Sequence, residues 1–322
     1  MNMKALIYDG EKAVYKEAVP IPQCKAGQSL IKILIADICS TDREILKGYR
    51  PDFRGIMGHE FVGEVVESPD PSLIGRLVVG EMNEGCGECI YCRTGREKHC
   101  LKRKEIGISR DGCFADYMAL STHLLHPVPE GLAPEQAVFA EPLAAALEIT
   151  ERVHIDRSCN AAIIGDGRLA YMIAQVLALT GVSLTVIGKH REKLALFEPY
   201  AHTMEYDSFF ENGSLRTLDA KDCFEYVVEA SGHESGIQLA LNIVRKMGSI
   251  ILKSTYAGKT SLNLSIIPVN EISIVGSRCG PFEPALKLLK DGSVSFPPIE
   301  LYALSDHEKA FSSPAFKAGF RM

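Results

Sequence analysis

The 322-residue sequence has no apolar run of membrane-spanning length. Its start, MNMKALIYDGEKAVYKE, lacks the charged-then-apolar layout of a secretory leader. Both absences point to a cytoplasmic protein whose thiols stay reduced. Positive charge is also short: 35 lysines and arginines face 41 aspartates and glutamates, a net charge of −6. That balance argues against general affinity for nucleic acid or anionic membranes. Internal repeats, low-complexity stretches and flexible linkers are missing as well, which excludes a repeat array. What remains is long enough for two domains sharing an interface, with 46% apolar and 24% charged residues, proportions ordinary for globular proteins.

Cysteine is scarce, ten residues in all, yet Cys86, Cys89, Cys92 and Cys100 share one short segment, EGCGECIYCRTGREKHC (84–100). The spacing C-x2-C-x2-C-x7-C offers four thiolates, which saturate a tetrahedral zinc ion and leave no vacancy for substrate. Gly85, Gly87 and Gly95 allow tight wrapping of the backbone. The segment is expected to hold shape rather than perform chemistry. Arg93, Arg96, Lys98, Lys102, Arg103 and Lys104 make it locally basic, but interleaved aromatics are lacking. A solvated zinc lobe accounts for the charge better than a nucleic-acid surface.

Along the chain, the first 140 residues read as mostly β, with strand-like runs MKALIYD, SLIKILIAD, FVGEVVE and CFADYMAL between Gly, Pro and Asp turns. From Pro134 the pattern PEQAVFAEPLAAALEITERV reads as helical, with Pro142 near a helix start. Between 160 and 253 strands and helices alternate, which implies a parallel sheet covered on both faces. After the strand NAAIIG, Leu169, Met172, Ile173, Val176 and Leu177 define one apolar helix stripe. Gly165, Gly167 and Ala170 make G-x-G-x-x-A where that strand opens into that helix, the context of a dinucleotide site. Gly165 would form the tight turn, Gly167 admit the pyrophosphate and Ala170 allow close packing, with the helix N-terminus facing the phosphates.

Three further segments, ICSTD (38–42), GHEFVGEVVE (58–67) and AEPLAAALE (140–148), join the cysteine loop and the glycine motif in an ordered set. Together they resemble the zinc-dependent medium-chain dehydrogenase/reductase superfamily, in its sorbitol, glucose and threonine dehydrogenase branch, over nearly the whole chain. The resemblance implies an α/β architecture: a Rossmann doubly wound parallel sheet plus a mostly β GroES-like catalytic domain. It places the catalytic domain at 1–142 with a zinc lobe at about 84–104, the dinucleotide domain at 143–272, and a return to the catalytic domain over 273–322. It implies two zinc ions per chain. The catalytic one would be held by Cys39, His59 and Glu141, with Glu60 as an auxiliary carboxylate; thiolate, imidazole and carboxylate are all good zinc ligands, and three leave a position open. Asp42 would orient His59. Thr41 matches the hydroxyl that starts the family's proton relay, and Glu44 stands where many relatives have its histidine.

The implied activity is reversible hydride transfer between a secondary alcohol of the polyol, sugar or hydroxy amino acid type, or its ketone, and NAD or NADP. Relatives are commonly dimers or tetramers, so a homodimer or homotetramer is expected. NAD-binding members end the second strand on an acid; here Gly188 takes its place and Lys189, His190 and Arg191 follow. That exchange of charge favours NADP. The alternatives are a zinc-independent quinone or enone reductase and a catalytically silent cofactor-binding relative, both disfavoured by the intact Cys39, His59 and Glu141.

Overall fold

A computed structural model of the chain describes residues 1–211, 214–215, 223–255 and 260–322. It separates into two compact units, one formed by Met1–Glu141 with Phe282–Met322, the other by Pro142–Pro281. Among the described residues no helix is long and apolar enough to cross a membrane.

Among the described residues the first unit holds three β-sheets, the smallest the antiparallel pair Asn83–Glu84 and Lys104–Glu105. A three-stranded sheet orders Ala13–Pro20, Asn2–Tyr8 and Gly55–Ile56. In the larger, seven-stranded sheet the long strand Gln28–Asp37 is the organiser. One edge pairs antiparallel with Glu60–Glu67; the other is shared between Tyr117–Ser121, against residues 28–32, and Ala318–Arg321, against residues 35–37. Ile31, Ile33 and Ile35 along this strand are fully buried. Such alternate β-branched positions fit a pleated surface with a packed face. The register sets Asp37 opposite both Glu60 and Gly319. Three distant parts of the chain therefore converge at one end of one strand.

CFADYMAL forms a strand only from Tyr117. Its first residues have other partners: the N–H groups of Cys113 and Phe114 donate to the carbonyls of Gly58 (3.0 Å) and Met57 (2.8 Å). This clamps the backbone just before His59. The packing there admits no side chains. A Cβ on Gly112 would lie 2.0 Å from the Gly58 carbonyl oxygen, and one on Gly107 would lie 2.3 Å from it.

In the second unit six parallel strands run in the order His202–Glu205, Ser183–Gly188, Asn160–Ile164, Phe224–Glu229, Val244–Leu252, Ser273–Gly276. In sequence terms this is 3-2-1-4-5-6, the doubly wound order in which ligands bind beyond the carboxyl ends of the strands. Strand Ser273–Gly276 completes the sheet, so the unit runs to Pro281, later than the 272/273 boundary drawn from the sequence. Helix Arg168–Ala178 is buried at every residue from Ala170 to Leu177, Gln175 included, rather than along a single stripe. A helix apolar nearly all round is one enclosed by its surroundings. Helix Ala140–Arg152 is separated from a short turn of helix, Pro134–Ala137, where the sequence pattern suggested one continuous run.

Gly112→Ala should destabilise the first unit by about 1–3 kcal/mol, because the new methyl group has only backbone to displace. A lowered denaturation midpoint, with weaker zinc retention through the shifted His59 loop, checks this.

Candidate functional site

The strand Gln28–Asp37 ends and the chain turns into helix Ser40–Leu46, whose N-terminal boundary residue is Cys39. Asp42 lies in the helix's first turn and its Oδ2 accepts from the Cys39 N–H (2.8 Å), fixing the turn that aims the thiol. Across the sheet, His59 and Glu60 lead into the neighbouring strand. The side-chain donor atoms of Cys39, His59 and Glu60 all lie within 4.8 Å of one another. His59 Nδ1 is 3.6 Å from Asp42 Oδ1, while Nε2 is 4.0 Å from Glu60 Oε1. Neither His59 Nδ1 nor Asp42 Oδ1 has a hydrogen-bond partner, although both are buried. Asp42 thus faces one ring nitrogen and leaves the other to the thiol and Glu60, the arrangement by which an outer carboxylate orients a metal-binding imidazole.

The electrostatics favour a cation at this point. Burial, with the Glu60 carboxylate behind it, pushes the Cys39 thiol up. Burial alone would lower the affinity of His59 for a proton, yet the negative charge of Asp42 and Cys39 carries it well above the ordinary imidazole value. Protons are being drawn to donors that a metal ion could occupy instead. Three ligand types suited to zinc, converging in a buried setting, fit such an ion.

Lys317 is the neighbour that sequence reasoning missed. Its ammonium, buried in the first unit, donates to Glu60 Oε2 and lies 3.3 Å from Asp37 Oδ2. Burial disfavours a charged Glu60, but the charge of the Lys317 ammonium and the hydrogen bond it donates hold the carboxyl down at about 2. Asp37 moves the other way, raised by burial and by the Glu60 charge. Of the two carboxylates, Glu60 is the one whose charge Lys317 stabilises most.

The other expected residues have different settings. Glu141 is half-buried in the first turn of helix Ala140–Arg152 and is not a member of the three-donor group. Thr41 is half-buried, its Oγ1 3.7 Å from Cys39 Sγ. Glu44 is bound by Lys47 (2.8 Å) and its side chain is 48% exposed.

Cys86, Cys89, Cys92 and Cys100 form a second group whose sulfurs lie within 4.8 Å of one another, all of them free thiols. Cys89 Sγ is 3.5 Å from Cys92 Sγ and 3.7 Å from Cys100 Sγ. Four sulfurs at zinc bonding distance sit about 3.8 Å apart, whereas a disulfide needs about 2.05 Å. The backbone N–H of Cys92 brings the Cys89 thiol down to about 6. Cys92, desolvated and hydrogen-bonded to Cys89, is pushed up to about 12. Four free sulfurs at this spacing fit a closed zinc site. Gly87 and Gly95 take left-handed φ values of 74° and 69° in the turns between ligands.

In the second unit Gly165 has φ 128°, and a Cβ there would lie 2.6 Å from the Ala230 carbonyl oxygen. Gly167 stands at the helix N-terminus with open space where its Cβ would be, which leaves room for a phosphate to approach the backbone. Ala170 is fully buried. Arg168, the first helical residue, has a buried Nη1 without a hydrogen-bond partner, an orphaned donor beside the turn. Lys189, His190 and Arg191 follow Gly188 but do not form a free cluster. Lys189 Nζ lies 4.6 Å over the Tyr206 ring, His190 Nδ1 is 2.9 Å from Asp166 Oδ2, and Arg191 lies 3.9 Å from Glu205. Asp166, inside the glycine motif itself, was not singled out by the sequence pattern, which assigns no role to its second position.

Residues 25–130 match the alcohol dehydrogenase GroES-like domain. The chain is 28% identical to a sorbitol dehydrogenase of Halalkalibacterium halodurans, covering 98% of this chain and 97% of the relative. It is 31% identical to an L-threonine 3-dehydrogenase of Bacillus licheniformis, over 77% of this chain and 75% of that one. In fold it is similar to L-idonate 5-dehydrogenase of Escherichia coli K-12, with a TM-score of 0.89 at 21% identity, covering 100% and 99% of the two chains. The sheets, the two donor groups and these similarities agree: the chain belongs to the medium-chain dehydrogenase/reductase superfamily of zinc-type alcohol dehydrogenases.

Proposed function

We propose that the protein is a cytoplasmic zinc-dependent oxidoreductase that transfers a hydride between a secondary alcohol, of the polyol, sugar or hydroxy amino acid type, or its ketone, and NAD(P). The observation that carries this reading is the convergence of Cys39, His59 and Glu60, with Asp42 behind the imidazole. Zinc, when bound, supplies a Lewis acid with a position open to the substrate oxygen, and the nicotinamide supplies the hydride chemistry.

The residues of the chain do the rest. Cys39 and His59 hold the ion. Asp42 keeps the imidazole in the tautomer that presents Nε2. Glu141 and Glu60 are alternative carboxylates for the same ion, and the grip of Lys317 on Glu60 decides between them: an occupied Oε2 makes Glu60 the weaker ligand. Thr41 takes the hydroxyl proton of the substrate and passes it toward water, with Glu44 the next acceptor on its helix. The four-cysteine group binds the second zinc and only shapes the lobe.

Metal analysis with steady-state kinetics tests the division of labour. Wild type should hold two zinc ions per chain. His59→Ala should retain one and lose turnover, while Thr41→Ala should retain both and lose about 10²–10⁴-fold in rate, the scale of one proton-transfer group. One zinc in the wild type, or full turnover of Thr41→Ala, would contradict it.

Lys317→Met should destabilise the zinc-free protein by roughly 3–5 kcal/mol, since it strands a buried carboxylate. Zinc should recover much of that loss by supplying the missing positive charge. Denaturation midpoints with zinc and with chelator measure the difference; an equal loss in both would mean that Lys317 acts only through packing.

A further inference from the structure

The glycine motif carries a carboxylate that the dinucleotide reading leaves unused. Asp166, between Gly165 and Gly167, accepts the N–H groups of Lys189 and His190 on Oδ2, each at 2.8 Å, and the same oxygen is 2.9 Å from His190 Nδ1. Its side chain is 12% exposed. An acid therefore stands at the carboxyl end of strand Ser183–Gly188, the place from which NAD-binding members reach the ribose hydroxyls. Gly188 is what admits it. A Cβ at 188 would lie 2.7 Å from Asp166 Cβ and 2.8 Å from its Oδ2. The φ of Gly188 is not in the left-handed region, so the glycine is there for space and not for conformation. The acid missing at 188 and the acid present at 166 are one arrangement.

We propose, resting on the reading of this unit as an NAD(P) site, that Asp166 is its specificity-determining carboxylate and selects NAD over NADP. Three observations carry the proposal. The backbone donors that open the turn after the second strand, Lys189 N–H and His190 N–H, are natural ligands of a 2′-phosphate, and an internal anion has already taken them. All three contacts use Oδ2, so Oδ1 is the oxygen to which a ribose hydroxyl would donate. The cations that favoured NADP on the sequence have other partners: His190 is held by Asp166, Lys189 lies over Tyr206, and Arg191, 91% exposed, leans toward Glu205. A 2′-phosphate would add roughly two negative charges beside the Asp166 carboxylate, with Glu205 a further acid near Arg191. Although burial works against the charge on Asp166, the hydrogen bonds from His190 more than offset it, and the group stays ionised at neutral pH.

Titrating the zinc-loaded enzyme with NADH and with NADPH, followed by the fluorescence of the reduced nicotinamide, tests this. NADH should bind at least about tenfold tighter to wild type. Asp166→Asn, nearly isosteric, and Asp166→Ser should each move the ratio of dissociation constants at least about tenfold toward NADPH, mainly by tightening NADPH. Asp166→Gly combined with Gly188→Asp returns the acid to the strand end and should bring back the NADH preference. NADPH preference in wild type overturns the proposal, and that comparison needs no variant to fold. So does an unmoved ratio in Asp166→Asn with unchanged circular dichroism and melting. Binding of neither cofactor to wild type would overturn the dinucleotide reading itself, a distinct result.

Discussion

Burying several carboxylates together is tolerable only if positive charge is buried with them, and the first unit is arranged around that constraint. Asp37, Asp42 and Glu60 are all within the interior at the end of one strand, with a half-buried thiol beside them. Among the described residues the answer is the Lys317 ammonium, with proton affinities raised on Asp37 and His59. Isolated buried charges of this kind cost several kcal/mol each unless paired. A divalent ion held by Cys39 and His59 beside Glu60 would resolve the imbalance, and the same ion would be the chemical centre that the proposed reaction needs. The donors that could hold a metal and the buried charge that needs an answer are the same groups.

The fold delivers these groups by register rather than by flexible loops. Asp37 pairs with Glu60 across one ladder and with Gly319 across another, which brings the segment bearing Lys317 to the same strand end. Cys39 follows two residues after Asp37, and His59 directly precedes Glu60. Behind His59, the close approach of Gly58, Gly107 and Gly112 removes the slack that would let the imbalance be relieved by movement. Sites held by strands and packed backbone keep the geometry that an open metal position requires.

Much of this was legible in the sequence because it is local. The C-x2-C-x2-C-x7-C spacing, the glycine motif between a strand and a helix, and the β-branched runs of the sheet strands all depend on near neighbours in the chain. The parts that were not legible depend on distant ones. Lys317 lies 257 positions from Glu60, in a tail whose composition carries no signal of burial. Asp166 meets the turn after the second strand 23 residues away, and its significance shows only when Gly188 is seen to make room for it. The helix after the glycine motif exposes a related blind spot. Its periodic stripe is real, but periodicity could not say that the remaining faces would be covered too. The division between the two glutamates is of the same kind: Glu60 adjoins His59 in the chain, yet its claim on the metal turns on a lysine that no pattern links to it.

Two chemically different metal centres are expected in one chain, one all-sulfur and one with a single sulfur ligand. Zinc X-ray absorption on the fully loaded enzyme measures this directly. The expected average is about 2.5 sulfur ligands per zinc, from four at one ion and one at the other, with the remainder nitrogen and oxygen. A spectrum with four sulfur ligands per zinc and no nitrogen or oxygen shell would mean that only the cysteine lobe binds metal, and Cys39, His59 and Glu60 would lose the role assigned to them.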